Sequence, residues 1–427
     1  MKLMFFIASL PEDEMPIRQF PLGAGSIAAW VQREEPDIEI RITATPEDVF
    51  SWKPDLLAIS SVTQCYNGAR RLARRAVDEL GIPVVLGGYH ISAVPHLLDP
   101  EFTAGVIGEG EWPMAALVRR YRELGNLPAQ VLRNIPGLCY HDPLSGVVIN
   151  ERPRPIPMDT LPRPVRNISR GARNIMMFSS RGCAYRCRYC ASSRHWGKLR
   201  LHTARRFVDD LHDLVERYDA ASIRLQDDLF FADRRRIHEI VRLMDAEGLL
   251  GRMSFHGFIT SNLADEETFA AAKRMGFHTI RFGAETGSDR LLKLMKGRWA
   301  SVENHQRCID LGRRFGIGIS AAFMLGTPGE TREDLEQTAA FIERNAGRLE
   351  IEGFYLTTPI PGTPYWDFAL ERGLVSEPMD WDRLNLDFAK TRSFGFDTCL
   401  YLNGENVPLE VVREYHERIT AVATMVV

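Results

Sequence analysis

The chain of 427 residues lacks a long hydrophobic run and a large excess of charge of either sign. No apolar stretch approaches the roughly 18 residues that a helix needs to cross a bilayer, so no membrane partner is expected. The formal net charge is −3 at pH 7, whereas a nucleic-acid binder usually has a strong basic excess. These absences argue against a membrane-spanning protein and against a nucleic-acid-binding protein.

The sequence also lacks signal-peptide features and paired cysteines. The apolar segment after Lys2 is short and is followed by acidic residues rather than by a small-residue cleavage site. Four of the seven cysteines stand singly and are expected to be small buried apolar residues: Cys65, Cys139, Cys308 and Cys399. Unpaired cysteines predict a reducing, cytoplasmic location.

The other three cysteines lie close together in the segment S-S-R-G-C-A-Y-R-C-R-Y-C, residues 179–190. Cys183, Cys187 and Cys190 have the spacing C-x3-C-x2-C, which lets three thiolates hold three corners of an iron–sulfur cube and leaves one iron open. A structural zinc site normally has four ligands, often in two pairs. His195 lies near enough in sequence to complete a Cys3His set, so zinc stays the alternative.

This segment, including Tyr189, resembles the cluster-binding motif of radical SAM enzymes. The resemblance implies a [4Fe–4S] cluster whose open iron binds S-adenosylmethionine. One electron from the cluster then splits the sulfonium and gives a 5′-deoxyadenosyl radical. It also implies an external electron donor, such as a flavodoxin, a ferredoxin or a reductase.

Residues 1–140 alternate between strand-like and helix-like segments, which predicts a doubly wound parallel sheet. The predicted strands are Leu3–Ala8, Ile38–Thr43, Leu56–Ser61, Val84–Gly87 and Gly105–Gly108. Residues 141–173 are rich in proline and arginine and are predicted to be a linker. A short strand at Gly146–Ile149 would let this linker pack.

Residues 174–365 repeat the alternation with six strands, which predicts a partial (β/α)6 barrel. The predicted strands are Ile175–Ser179, Ser222–Leu225, Met253–Ile259, Thr279–Phe282, Gly318–Phe323 and Glu352–Leu356. The cysteine segment follows the first strand, at the end where such barrels carry their chemistry. Residues 366–427, with Trp381, Phe388, Phe394, Phe396 and Tyr401, are predicted to close the open side and to govern substrate selectivity.

Residues after the other strands of this half resemble the parts of radical SAM enzymes that touch S-adenosylmethionine. The resemblance implies that Asp228 accepts from the cofactor's ammonium and that Ser261 and Glu285 contact its ribose or carboxylate. Tyr189 of the cysteine segment is also expected to contact the cofactor. Gly326 lies in M-L-G-T-P-G-E, residues 324–330, which resembles the adenine-binding segment. Asp227, beside Asp228, is expected to face the substrate as a catalytic residue.

Four segments of the first half resemble the cobalamin-binding domain that precedes many radical SAM domains: residues 21–30, 56–63, 84–90 and 106–111. The resemblance implies bound cobalamin, although the D-x-H-x-x-G motif is absent and residues 41–48 read R-I-T-A-T-P-E-D instead. Any cobalamin would lack that histidine below the cobalt, for which His90 is a possible substitute. The candidate contacts are Ser61, Thr63, Gln64, Gly87, Gly88, Tyr89 and Glu109.

The leading hypothesis is a cobalamin-dependent radical SAM methyltransferase that acts at an unactivated carbon of a natural product or a sugar-like molecule. The second is a cobalamin-free radical enzyme that dehydrates a sugar diol or an aminoglycoside. In that case Asp227, Glu350 and Glu352 would serve as acid, base or partners of a cationic substrate. A tRNA methylthiotransferase is disfavoured, because that family has three further cluster cysteines in its first domain.

Overall fold

The computed structural model describes residues 1–9, 21–166, 174–377, 379–384 and 400–425. The chain forms two compact units. The first holds Met1–Ile168 and Ser376–Asp382, and the second holds Ser169–Val375 and Arg383–Val427. Parallel strands alternate with helices in both units, which confirms the predicted α/β class.

The first unit is built on one sheet with the strand order β2-β1-β3-β4-β5-β6-β7. The strands are β1 (Lys2–Ile7), β2 (Glu39–Thr43), β3 (Leu56–Ser60), β4 (Val84–Gly87), β5 (Ala104–Val106), β6 (Leu138–Asp142) and β7 (Gly146–Ile149). Strands β1 to β5 are parallel, as predicted, whereas β6 and β7 form an antiparallel hairpin at one edge. The sheet therefore extends past residue 140, the predicted end of the first domain. The apolar residues 138–140 are buried against this sheet.

Helices cover both faces of this sheet. They are α1 (Leu22–Glu34), α2 (Pro46–Trp52), α3 (Tyr66–Leu80), α4 (Tyr89–Ala93), α5 (Glu111–Leu124) and α6 (Ala129–Leu132). Four successive residues of β3, Leu56 to Ile59, are buried, which is typical of a parallel strand covered on both sides. Helix α3 buries Leu72 and Ala76 and ends at Gly81 in the left-handed conformation.

The second unit contains a parallel sheet with the order β16-β15-β14-β13-β12-β11-β8. Its strands are β8 (Asn174–Met177), β11 (Ser222–Leu225), β12 (Ser254–Phe258), β13 (Phe277–Glu285), β14 (Gly318–Leu325), β15 (Glu350–Leu356) and β16 (Thr424–Met425). Strands β9 (Ser180–Arg181) and β10 (Arg200–Leu201) form a separate antiparallel pair. Among the described residues β8 and β16 do not pair with each other and form the two edges of the sheet. The sheet is therefore an open, partial barrel, as predicted. Strand β16 was not predicted, because two residues carry no periodicity.

The helices of this unit follow the strands. They are α7 (Ser192–Trp196), α8 (Ala204–Tyr218), α9 (Arg234–Ala246), α10 (Glu266–Met275), α11 (Asp289–Met295), α12 (Val302–Phe315), α13 (Arg332–Arg344), α14 (Pro364–Glu371) and α15 (Leu409–Val422). Helix α15 packs on α13, where the Tyr415 hydroxyl donates to Glu336 at 2.9 Å. Of the aromatic residues predicted to close the barrel, Phe388, Phe394 and Phe396 lie outside the described residues.

The position of Trp381 differs from the prediction, which placed it in a segment that closes the barrel. It belongs to the first unit, where its ring meets His90 edge-on at 4.7 Å between centroids. Two polar contacts of the same segment hold it there: Asn67 donates to Asp380 at 2.7 Å, and His96 contacts Glu377 at 2.9 Å. Such a return of the chain depends on contacts between residues far apart in sequence, which no local pattern reveals.

Candidate active site

Cys183, Cys187 and Cys190 lie on the loop between β9 and α7, beyond the carboxyl end of β8. All three are half-buried. Burial raises the pKa of each thiol, that of Cys190 to about 11, and negative charge on a neighbouring cysteine raises it further. The three sulfurs therefore share one site, and metal binding there must displace their protons.

The arrangement of these cysteines fits a cluster better than a single zinc ion. Across the described part of the chain, no three His, Cys, Asp or Glu side chains converge closely enough to hold one metal ion. A zinc site completed by His195 would need four ligands, of which the loop itself supplies three. Three separated thiolates on one loop match the corners of a [4Fe–4S] cluster.

Asp227 holds the start of the cysteine loop. Its carboxylate accepts from the Ser179 amide and from the Ser179 hydroxyl, each at 3.0 Å, and is 1% exposed. Arg236 donates to the same hydroxyl at 2.7 Å and to the His202 carbonyl at 2.6 Å. The expected role of Asp227 as a catalytic residue facing substrate is corrected accordingly, since its oxygens are buried and bonded to the loop.

The anchoring role predicts that Asp227→Asn destabilises the protein. The substitution removes a buried negative charge that accepts from the Ser179 amide and hydroxyl and interacts with Arg236, which costs about 3 kcal/mol. We expect the thermal unfolding midpoint of the second unit to fall by about 8 °C. Asp228→Asn is the matched control and should change the midpoint little, because the Asp228 side chain is exposed. An Asp227→Asn protein that melts normally but is inactive would restore the catalytic role.

Tyr189, Glu285 and Lys296 form a hydrogen-bonded group beside the cysteines. The Tyr189 hydroxyl donates to Glu285 Oε1 at 2.7 Å, and Lys296 Nζ lies 3.1 Å from the same oxygen. Lys296 also donates to the Gly283 carbonyl. Glu285 has a φ of +64°, which is uncommon for a residue other than glycine and is frequent at functional sites. Lys296 was not predicted, because it comes from α11 and its following turn rather than from a strand end.

The two other side chains predicted to contact S-adenosylmethionine differ in accessibility. Asp228 is exposed and accepts a hydrogen bond from Ser192 at the start of α7. The Ser261 hydroxyl is buried and lies 2.7 Å from His305 Nδ1, and His305 Nε2 lies 3.1 Å from the Ala284 carbonyl. The geometry thus leaves Asp228 available to a ligand, whereas Ser261 supports the strand end that carries Glu285.

Gly326 occupies a position that only glycine suits. Its φ is +69°, and a Cβ there would lie 2.8 Å from the Tyr401 ring. Its amide donates at 2.7 Å to Oε2 of Glu330, which is fully buried. Glu330 Oε1 has no hydrogen-bond partner in the described part of the chain. Burial raises the pKa of this carboxyl to about 8, so it carries a proton at neutral pH.

The raised pKa of Glu330 predicts how stability depends on pH. The folded protein keeps this proton up to pH about 8, whereas the unfolded chain releases it near 4.5. Folding therefore becomes less favourable as the pH rises between these values. Between pH 6.5 and 8 the free energy of unfolding should fall by about 2 kcal/mol more in the wild type than in Glu330→Gln. Urea unfolding of both proteins at each pH measures this difference, and equal slopes would contradict it.

The predicted cobalamin contacts lie on loops that the structure bonds to one another. The Ser61 amide donates to Gly87 O at 3.0 Å. The Ser92 hydroxyl donates to Gly88 O at 2.7 Å and accepts from the Gly108 amide at 2.9 Å. Ser92, which was not predicted, thus joins the loops that follow β4 and β5.

The candidate contacts on these loops differ in burial. Ser61 and Thr63 are buried, whereas the other five are half-buried: Gln64, Gly87, Gly88, Tyr89 and Glu109. The half-buried polar side chains at the carboxyl ends of these strands fit a large ligand such as cobalamin.

His90 is unsuited to the role of a cobalt ligand. It is fully buried and stacks on Tyr66 at 3.9 Å between ring centroids. Its Nδ1 lies 3.4 Å from the Thr63 hydroxyl. Burial lowers the pKa of His90 to about 3, so the ring is neutral. We conclude that His90 is a structural residue that packs against the loop of Thr63.

Two family models match the chain: the radical SAM superfamily over residues 177–342 and the B12 binding domain over residues 18–118. An uncharacterized methyltransferase of Pyrococcus horikoshii is 31% identical over 89% of this chain and 86% of its own length. A cytidylyl-2-hydroxyethylphosphonate methyltransferase of Streptomyces wedmorensis is 24% identical over 86% of this chain and 81% of its own.

A solved structure gives the same result for the fold. The radical S-adenosylmethionine methyltransferase TsrM from Kitasatospora setae has a TM-score of 0.70 and 19% identity, and the match covers 88% of this chain and 77% of that one. The chain therefore belongs to the radical SAM superfamily, and within it to the enzymes with an N-terminal B12 binding domain.

Membership confirms the cofactors that the sequence resemblance implied. They are a [4Fe–4S] cluster, S-adenosylmethionine and cobalamin. The described helices include none that is long and apolar enough to cross a membrane.

Proposed function

We propose that the protein is a cobalamin-dependent methyltransferase that methylates an unactivated carbon of a small molecule by a radical route. The observation that carries the proposal is the presence of both cofactor-binding folds in one chain, a B12 binding domain and a three-cysteine loop at strand ends of a partial barrel. When bound, the cluster and S-adenosylmethionine supply a carbon-centred radical, and cobalamin supplies the methyl group.

The protein's own residues hold and orient these groups. Cys183, Cys187 and Cys190 ligate the cluster, and exposed Asp228 accepts from the ammonium of S-adenosylmethionine. Glu285 Oε1 is taken by Tyr189 and Lys296. Its Oε2 has no bond to any described residue and is assigned to the ribose hydroxyls.

We assign corrin binding to the first unit. Gln64, Tyr89 and Glu109 are its half-buried polar side chains at the bonded strand ends. His90 would not serve as a cobalt ligand in this assignment, because it is engaged in its stack with Tyr66 and Trp381. The electron comes from an external carrier of the flavodoxin or ferredoxin class, in the reducing cytoplasm.

The cobalamin-free alternative on a cationic aminoglycoside receives less support. Glu352, one of its proposed substrate partners, already pairs with Arg281 at 2.9 Å. Glu350 is exposed at the amino end of β15, away from the strand ends where barrel chemistry takes place.

A labelling experiment tests the proposal without knowledge of the substrate. The full chain is purified anaerobically from cells given hydroxocobalamin, reduced, and incubated with S-adenosylmethionine labelled in its methyl group. We expect corrin absorbance in the purified protein, label in the corrin fraction and S-adenosylhomocysteine as co-product. Protein with a full iron count but no corrin absorbance and no transferred label would favour the cobalamin-free alternative.

A further inference from the structure

A row of polar side chains lines the inner face of the second sheet. This inner polar row comprises Arg224, His256, Arg281, Ser320 and Glu352, one residue from each of β11 to β15. Residues next to the row face the outer helices: Phe282 lies 5.1 Å from His305 of α12 between ring centroids, and Ile319 lies against Gly312. Because side chains alternate along a strand, the row faces the interior of the partial barrel.

The charges of the row do not balance. Arg281 Nε lies 2.9 Å from Glu352 Oε1, and the Ser320 hydroxyl donates to the same oxygen at 2.8 Å. Arg224 forms no ion pair or hydrogen bond with the described residues, and its Nε is buried without a partner. The row therefore holds two guanidinium groups and one carboxylate, which pairs with Arg281 alone among the described residues, and burial and Arg281 lower the pKa of Arg224.

His256 adds no charge to the row, since burial and the neighbouring Arg224, His278 and Arg281 lower its pKa and favour the neutral ring. Arg224 is half-buried, and its buried Nε has no acceptor among the described residues, which costs free energy unless a ligand supplies one. The excess positive charge is explained if an anion binds beside Arg224.

An apolar surface adjoins the charges. Phe258 is the last residue of β12 and pairs in register with Arg281. Its side chain is 36% exposed, and the Arg281 guanidinium carbon lies 5.9 Å from the ring centroid. A ligand with an anionic group and an adjoining apolar part would cover both surfaces.

We propose that the inner polar row binds an anionic group of the substrate, a carboxylate or a phosphorus oxyanion, with Arg224 as its main donor and Phe258 against the adjoining carbons. Arginine suits this role, since its planar guanidinium binds such anions through two parallel hydrogen bonds. Arg281 and Glu285 are four positions apart, about 13 Å along β13, which sets the span between the anionic group and the cofactor end. Only the identity of the ligand as substrate rests on the proposed methyltransferase function.

Binding to the full chain without turnover tests the site independently of that function. The probes are phenylphosphonate, benzoate and neutral benzyl alcohol, titrated by ligand-observed NMR. We expect both anions to bind and the alcohol not to bind, with the tighter anion identifying the oxyanion class. Arg224→Gln should weaken anion binding about tenfold. Glu352→Gln should strengthen it, because the competing carboxylate is removed while an acceptor for Ser320 remains.

Two controls separate a binding site from a structural network. Arg252→Gln removes the same charge from an exposed residue just before β12 and should leave the affinity unchanged. Thermal unfolding of unliganded Arg224→Gln should match or exceed that of the wild type, because the lost charge had no partner. Unchanged anion affinity in Arg224→Gln, equal binding of benzyl alcohol, or a lower unfolding temperature of the unliganded variant would overturn the proposal.

Discussion

Anaerobically reconstituted Cys187→Ala protein is expected to hold no stable four-iron cluster and to release no 5′-deoxyadenosine above background. The loop offers three thiolates, and the loss of one leaves two corners of the cube anchored. No carboxylate or imidazole of the described residues converges with the remaining two sulfurs to replace it. The half-buried position of Cys187 means that the fold should survive. Iron and sulfide counting, with chromatography of the nucleoside product, measures the result.

Cys308→Ala is the matched control for this substitution. It removes the same sulfur atom from a residue that is fully buried in α12 and outside the cysteine loop. Iron content and nucleoside release should stay at the wild-type level, apart from a modest loss of stability. Full iron content in Cys187→Ala would show that the cluster is held elsewhere.

The cysteine loop could be predicted from sequence because its information is local. Spacing within twelve residues defines three ligands, and the alternation of strands and helices places the loop at a strand end. Lys296, His305 and Ser92 escaped prediction for the opposite reason. Each acts through one or two hydrogen bonds to a residue that is distant in sequence or on another element. The position of Lys296, just past the end of α11, carries no sign that its ammonium is buried against a glutamate.

The different positions of Asp227 and Asp228 could have been predicted from the alternation of side chains along β11. Ile223 and Leu225 of β11 are buried, and Arg224 lies on the opposite face. Continuing this alternation past the strand end places Asp227 with the buried residues and Asp228 with the accessible ones. The period of two therefore predicts which acid is an anchor and which one meets a ligand, although resemblance alone left both as ligand contacts.

Gly88→Ala is expected to destabilise the first unit strongly. Its φ is +99°, and a Cβ at this position would lie 2.5 Å from the Ser61 carbonyl oxygen and 2.9 Å from the Ser61 nitrogen. Both neighbours are backbone atoms, so the loops after β3 and β4 must separate. We expect a loss of more than about 3 kcal/mol in the free energy of unfolding of this unit, from strain and overpacking together.

The same substitution at Gly81 isolates the cause. Gly81 also has a positive φ, +65°, but a Cβ there would meet nothing within 4 Å. Gly81→Ala should therefore cost only the conformational strain, about 1 kcal/mol, and should leave corrin uptake from hydroxocobalamin unchanged. Gly88→Ala should lose corrin uptake as well, because the loops of Ser61 and Tyr89 can no longer lie side by side. If both variants take up corrin equally, the close contact between these loops has no part in holding cobalamin.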